Sequence, residues 1–199
     1  KNHNNYIKDG VMKVVYDLND FYGLTQFTCL DEVFTKEKVD IVYITNPTSY
    51  HFPTILNTMK EGCSLFVEKP VCQNISEAKK LLEHSNRNSL LYVGYQTKFD
   101  PLYLKLKKII QTEKFGKLVS FRSEWCTYLP NHHKYEDYKH SYAAKRNLGG
   151  GVLLGLSHEL DILIDLFGLP NKVSSIESKN DLLEIDADDT YTILCKYKG

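Results

Sequence analysis

Residues 40–70 read DIVYITNPTSYHFPTILNTMKEGCSLFVEKP, and this stretch decides the fold. Asp40–Thr45 is a short apolar run that stops at a polar turn, Asn46-Pro47-Thr48-Ser49. Phe52–Lys60 carries Ile55, Leu56 and Met59 at helical spacing, and Glu61-Gly62 supplies the stop. Ser64–Val67 is a second apolar run, ending at Glu68-Lys69-Pro70. Working outward, Met12–Tyr16 predicts a strand ending in Asp17, and Leu90–Gly94 predicts another. Ser76 is placed to cap a helix through Leu82. Buried strands separated by helices of this length imply a parallel sheet covered on both faces. Ligands of such sheets bind beyond the carboxyl ends of the strands. Asp17, Asn46, Glu68, Lys69, Pro70, Gly94, Tyr95 and Gln96 all fall there.

The second half changes character. Asp100-Pro101 opens a helix with Leu102, Leu106 and Ile109 on one face, closed near Phe115-Gly116. Lys117–Thr127 reads as a long strand, followed by a polar, aromatic loop and a helix from about Gly150 to Phe167. Two more strands are expected near Lys172–Glu177 and Thr190–Tyr197. The fold class is therefore α/β: a partial Rossmann-like parallel sheet over 1–97, then an open-sheet α/β (α+β) domain over 98–199.

Composition narrows the function classes. With 25 basic and 25 acidic side chains in 199 residues, the formal charge is zero, and the field that nucleic-acid binding needs is missing. No apolar run approaches the roughly 20 residues that span a bilayer. The five cysteines are scattered without paired spacing, which predicts free thiols and a cytoplasmic setting. The chain starts at Lys1 and stops inside the alternating run TYTILCKYKG, so both ends read as cuts in a longer sequence.

The helix expected over 150–167 has two faces. Val152, Leu153, Leu156, Leu160, Leu163, Ile164 and Phe167 gather on one side, which reads as core. The other side holds Gly151, Leu154, Gly155, His158, Asp161, Ile162 and Asp165. Each glycine in a helix interior costs about 0.5–1 kcal/mol relative to alanine. Glycines beside a histidine therefore predict a close approach to the backbone, with Asp161 three residues on to orient or charge-stabilise the imidazole. The alternative is that the glycines admit a neighbouring strand and His158 is a satisfied buried histidine. Lys69, at the mouth of the sheet, is a candidate for a desolvated lysine suited to proton transfer, and a cis Lys69-Pro70 bond is possible. Asp17 fits the acidic residue that takes a ribose hydroxyl.

Together these pieces resemble the Gfo/Idh/MocA family of NAD(P)-dependent oxidoreductases. The matching segments are DIVYITNPTSYH (40–51), GCSLFVEKPV (62–71), YVGYQTKFDP (92–101), FGKLVSFRSE (115–124) and GGGVLLGLSHELD (149–161). The resemblance implies that Lys69 helps move a hydroxyl proton and that His158 is a second acid/base or substrate-orienting residue. It places Asn46, Pro47, His51, Glu68, Lys69 and Gln96 around the dinucleotide and Asp17 on its ribose. The loop EDYKHSYAAKRNLGGG looks most like members acting on sugars or nucleotide sugars in surface-polysaccharide synthesis, and the full-length protein would be a homo-oligomer. The cofactor would be NAD or NADP; the Asp17 carboxylate favours NAD, because it repels a 2′-phosphate.

Two departures accompany the resemblance. The first strand and glycine-rich phosphate loop of the family are absent, so Lys1 would begin inside the first helix. Many members also carry an aspartate where this chain has Gly155. That absence keeps a second reading in play, a non-catalytic sugar- or nucleotide-binding protein on the same fold. In the loop Trp125–Arg146, aromatic faces can stack on sugar rings; Tyr142 and Arg146, with Asp161, complete the expected substrate set of Lys69 and His158. His132, His133, His140, His158 and Asp161 are the candidates for a zinc site, but adjacent histidines point different ways and no His-x₃-His or cysteine pair supports one. No metal, nucleic acid or membrane partner is expected.

Overall fold

The computed structural model describes residues 5–8, 11–14, 19, 22–84, 89–133, 136–180 and 182–198. The chain divides into two compact units, Lys1–Asp40 and Ile41–Gly199. In the first, strands β1 (Asn5–Lys8) and β2 (Val11–Val14) pair antiparallel, from Asn5 opposite Val14 to Lys8 opposite Val11. The sequence between them is Asp9-Gly10, a dipeptide favoured in two-residue hairpins. Two sequence expectations are corrected here. Asn5–Lys8 is extended rather than helical, and the strand at Met12 pairs with its near neighbour rather than along the parallel sheet, because a two-residue link is the shortest route to a partner. Asp17 lies outside the described residues. Helix α1 (Leu30–Lys36) follows, with Asp31 and Glu32 in its first turn and Lys36 in its last, the polarity its dipole favours.

The second unit is built on a parallel sheet, β3 (Ile41–Ile44), β4 (Ser64–Val67) and β5 (Leu91–Val93), in that spatial order. Helices α2 (His51–Met59) and α3 (Ile75–His84) are the crossovers. Ile55 from α2 and Leu81 from α3 pack with Ile44, Leu65, Val67 and Cys72 in one apolar cluster, so both helices cover the same face. The other face carries a ladder of rings: Tyr43 lies 5.3 Å from Phe66, and Phe66 lies 5.4 Å from Tyr92. Tyr43 is 66% exposed. Within this unit the helices thus cover one face, and cross-strand aromatic pairs line the other. The cap of α3 is Asn74, not Ser76: its side-chain oxygen accepts from the Glu77 amide at 3.0 Å and the Ser76 hydroxyl at 2.7 Å.

Helix α4 (Pro101–Gln111) is capped as expected, the Asp100 carboxylate accepting from the Leu102 and Tyr103 amides at 2.7 and 3.2 Å. Its buried residue is Tyr103, whereas Leu102 and Leu106 are exposed. Residues 117–127 form no strand, and Val119 is 97% exposed. Alternation gives a segment the capacity to pair, but a strand exists only where a partner edge meets it. The helix expected over 150–167 is two helices, α5 (Val152–Gly155) and α6 (His158–Phe167), broken at Leu156-Ser157. Its expected core side is only partly buried, with Ile164 exposed, whereas Gly150, Ser157 and His158 are buried. Strands β6 (Lys172–Ser178) and β7 (Thr190–Lys196) then pair antiparallel. Among the described residues no helix is long and apolar enough to cross a membrane.

Candidate active site

The carboxyl edge of the parallel sheet positions Lys69. The ladder runs one step past the strands, the Glu68 amide donating to the Ile44 carbonyl at 2.9 Å and the Gly94 amide to that of Val67 at 2.8 Å. Lys69-Pro70 is cis. Beneath this turn His51, 1% exposed, sets Nδ1 2.8 Å from the Pro70 carbonyl and Nε2 2.8 Å from the Asn46 carbonyl. The ring therefore ties the turn after β3 to the turn after β4, and both its polar atoms are taken by main chain. The Lys69 ammonium donates to the Gly155 carbonyl at 2.5 Å. Burial lowers its pKa, partly opposed by the Glu68 carboxylate.

His158 opens α6 on the other side of that carbonyl. Its Nδ1 lies 3.4 Å from the Thr97 hydroxyl, and the Tyr95 ring meets it edge-on at 5.7 Å. The Tyr95 hydroxyl donates to Ser157 at 3.4 Å. Burial, then the charge of Lys69, pull the imidazole pKa down; Asp161, Glu68 and Glu159 act against them. Asp161 does not hold the ring, as the spacing predicted. Its carboxylate pairs with Lys98 at 2.9 Å, a full charge that outcompetes a neutral imidazole for it. Tyr95, Thr97 and Ser157 were not singled out as partners of His158; YVGYQTKFDP carries the first two, but nothing in the sequence says that they reach a residue sixty positions on.

The remaining expected residues divide. Asn46 and Gln96 are exposed at the ends of β3 and β5, with the Asn46 amide donating to Thr54 at 3.2 Å, and Pro47 opens the turn Thr48–Tyr50. Tyr142 feels the Glu68 charge, which adds to burial in pushing its phenol up. Arg146 is directed elsewhere: its guanidinium meets Glu177 of β6 at 3.1 Å. His132, stacked on His133 at 4.4 Å, has its pKa lowered by burial, by His133 and by Lys69. The glycine run does mark close approaches, but to the chain itself. A Cβ at Gly150 would lie 2.4 Å from the Tyr142 carbonyl, and one at Gly151, where φ is +103°, 2.2 Å from Asp188. Asp188 is the unforeseen partner, its carboxylate accepting from the Leu153 amide at 3.1 Å and its carbonyl from that of Val152 at 3.1 Å. Gly155 is different, because a Cβ there would meet nothing within 4 Å.

Residues 12–95 match an oxidoreductase family with an NAD-binding Rossmann fold, and residues 103–199 match the GFO/IDH/MocA C-terminal domain. The chain belongs to the Gfo/Idh/MocA family of oxidoreductases. Among similar proteins, an uncharacterized oxidoreductase of Schizosaccharomyces pombe is 28% identical over 86% of this chain and 46% of its own length. An inositol 2-dehydrogenase of Corynebacterium glutamicum is 25% identical over 80% of this chain and 44% of its own. The WlbA dehydrogenase of Bordetella pertussis, solved with NADH and UDP-GlcNAcA, superposes with a TM-score of 0.74 at 19% identity, over 90% of this chain and 51% of that one, a likeness of fold. The chain thus spans about half the length of the curated relatives it matches.

The NAD of a Gfo/Idh/MocA Rossmann fold finds suitable chemistry at the strand ends. The exposed amides of Asn46 and Gln96 and the Glu68 carboxylate offer the donors and acceptors that ribose hydroxyls and a carboxamide need. These residues, with Lys69, have the chemistry to hold part of such a cofactor. A glycine-rich turn for the pyrophosphate does not occur in this sequence.

Proposed function

We propose that this protein is an NAD(P)-dependent oxidoreductase that moves a hydride between nicotinamide and a hydroxyl or keto carbon of a sugar or nucleotide sugar. One observation supports this above the rest: the Lys69 ammonium lies on the Gly155 carbonyl, three residues before His158, and both groups have lowered pKa values. A lysine and an imidazole that both give up their protons more readily than usual, meeting at one helix break, are suited to proton transfer. When bound, nicotinamide supplies the hydride acceptor or donor. In the oxidative direction, neutral Lys69 accepts the proton of the substrate hydroxyl and becomes an ammonium; in the reductive direction it returns that proton to the carbonyl oxygen. His158, held through Nδ1 by Thr97, orients a substrate hydroxyl with its other nitrogen. Tyr142 and Asp161 border the substrate in this reading. Residues 1–97 form the cofactor half, and 98–199 form the substrate and oligomerisation half.

The polyol class has support in two similar proteins, one an inositol dehydrogenase and one solved with a nucleotide sugar. The test is nicotinamide absorbance with the whole protein across a panel of sugars, polyols and nucleotide sugars. Lys69→Ala is expected to lower kcat by about 10²–10⁴-fold while KM moves only a few-fold. Unchanged turnover in that variant would overturn the role of Lys69. Cofactor binding with no turnover on any member of the panel would favour a binding protein on the same fold.

A further inference from the structure

In an unbroken helix the Gly155 carbonyl would accept the amide of Glu159, four residues on. Here the Glu159 amide points instead to the Leu156 carbonyl at 3.4 Å, while the Gly155 carbonyl takes the Lys69 ammonium at 2.5 Å. Leu156, with φ −105° and ψ 30°, turns the chain out of the helix at that step. We propose that the break between α5 and α6 is a positioning device for Lys69: it releases one main-chain carbonyl to hold the ammonium beside His158 with a neutral dipole. The inference rests on the reading of Lys69 as the proton-handling group and adds how that group is kept ready.

A neutral acceptor differs from a carboxylate in what it does to the proton. Both fix the direction of Nζ, but a carboxylate also adds a charge that stabilises the ammonium and makes its proton harder to remove. The charge that acts on Lys69 is Glu68, from the turn after β4, and Lys69 in turn lowers the pKa of His158 from α6 and of His132 from the loop before α5. Glu68 favours the charged form, yet burial outweighs it. The nearby aspartate of α6, Asp161, is occupied by Lys98. The space beside Gly155 is open to a Cβ, which would meet no neighbour within 4 Å, and its φ lies outside the left-handed region, so a side chain can be introduced there without backbone strain.

Gly155→Asp brings a carboxylate to the place where the dipole now acts. In the whole protein without nucleotide, with lysine side chains labelled for NMR and Lys69 assigned from a Lys69→Arg variant, Lys69 should titrate below the ordinary lysine value of 10.5. Gly155→Asp should raise that titration by about one pH unit or more, and Gly155→Asn, similar in size but uncharged, should leave it in place. In turnover, the acid limb of the kcat/KM profile should move to higher pH in the aspartate variant alone. The inference is overturned if Lys69 titrates with the bulk lysines, if aspartate leaves it unmoved, or if asparagine moves it equally. Because the NMR titration needs no turnover, a Lys69→Ala protein with full activity would defeat the functional reading and leave the carbonyl contact standing.

Discussion

Replacing His51 by leucine removes a ring that faces two main-chain carbonyls and, as a neutral imidazole, donates its one N–H to one of them. Its nitrogens lie 2.8 Å from the carbonyls of Asn46 and Pro70, and the residue is 1% exposed. A buried acceptor left without a donor costs about 1–3 kcal/mol. Asn46 is exposed, so water can replace part of its loss, whereas Pro70 is only partly open. The expected destabilisation is therefore about 1–3 kcal/mol, a sizeable share of the 5–15 kcal/mol that holds a typical domain together. At about 2–4 °C per kcal/mol for a chain of this size, Tm should fall by roughly 2–12 °C. His51→Asn keeps an amide donor and should lose less. Urea unfolding followed by circular dichroism reads both variants, and NAD titration at a temperature where all are folded provides the control. If leucine costs less than about 0.5 kcal/mol but abolishes cofactor binding, His51 borders the dinucleotide directly, and the account of a ring tying two turns together is wrong.

Three further outcomes follow from the same contacts. Gly151→Ala places a Cβ 2.2 Å from Asp188 at a φ of +103°, so backbone strain and the disturbed contacts of Val152 and Leu153 should together cost about 2–4 kcal/mol in chemical denaturation. Asp165 is bonded to Lys107 at 2.7 Å and to the Tyr103 hydroxyl, which hold its carboxyl below the usual carboxylate range. A depressed folded pKa contributes stability above the unfolded value of about 3.9 that is lost as pH falls through the folded value. The Tm gap between the parent and Asp165→Asn should thus be steady at neutral pH and close below about pH 4. Asp161→Asn removes an anion that raises the His158 pKa, so His158 should titrate lower still in histidine-ring NMR.

The parallel sheet was legible because its strands are short apolar runs stopped by polar turns. Ser64–Val67 matches to the residue, and Asp40–Thr45 and Leu90–Gly94 each lose only their end residues. Lys69 was legible as a strand-end lysine and His158 as a histidine among glycines. What stayed hidden depends on distant partners. The 3.6-residue pattern of leucines runs straight through Leu156 and Ser157, so periodicity gives no sign of the helix break; the break is visible only once Lys69, 86 positions earlier, claims the carbonyl. Asp188 lies 35 positions beyond the amide it accepts. Asp161 does stabilise the charged form of His158, but its direct bond is to Lys98, since spacing along a helix ranks neighbours on that helix and says nothing of Lys98.

The pairing of the other acids gives these contacts a common sense. Asp161 is matched with Lys98, Asp165 with Lys107 and Tyr103, and Asp188 with the amides that open α5. Each of these carboxylates has a partner other than Lys69 or His158, and Glu68 is the acid whose charge acts on the lysine. Main-chain carbonyls and hydroxyls do the holding instead: Gly155 for Lys69, Thr97 for His158, Asn46 and Pro70 for His51. Dipoles fix direction without adding a net charge, so burial can lower the pKa values of both Lys69 and His158 while each stays oriented. A site built with carboxylates in those places would be as well ordered, but its lysine would hold its proton more tightly than Lys69 does. Through this choice of partner, made by the backbone around Gly155, the fold acts on the chemistry proposed for it.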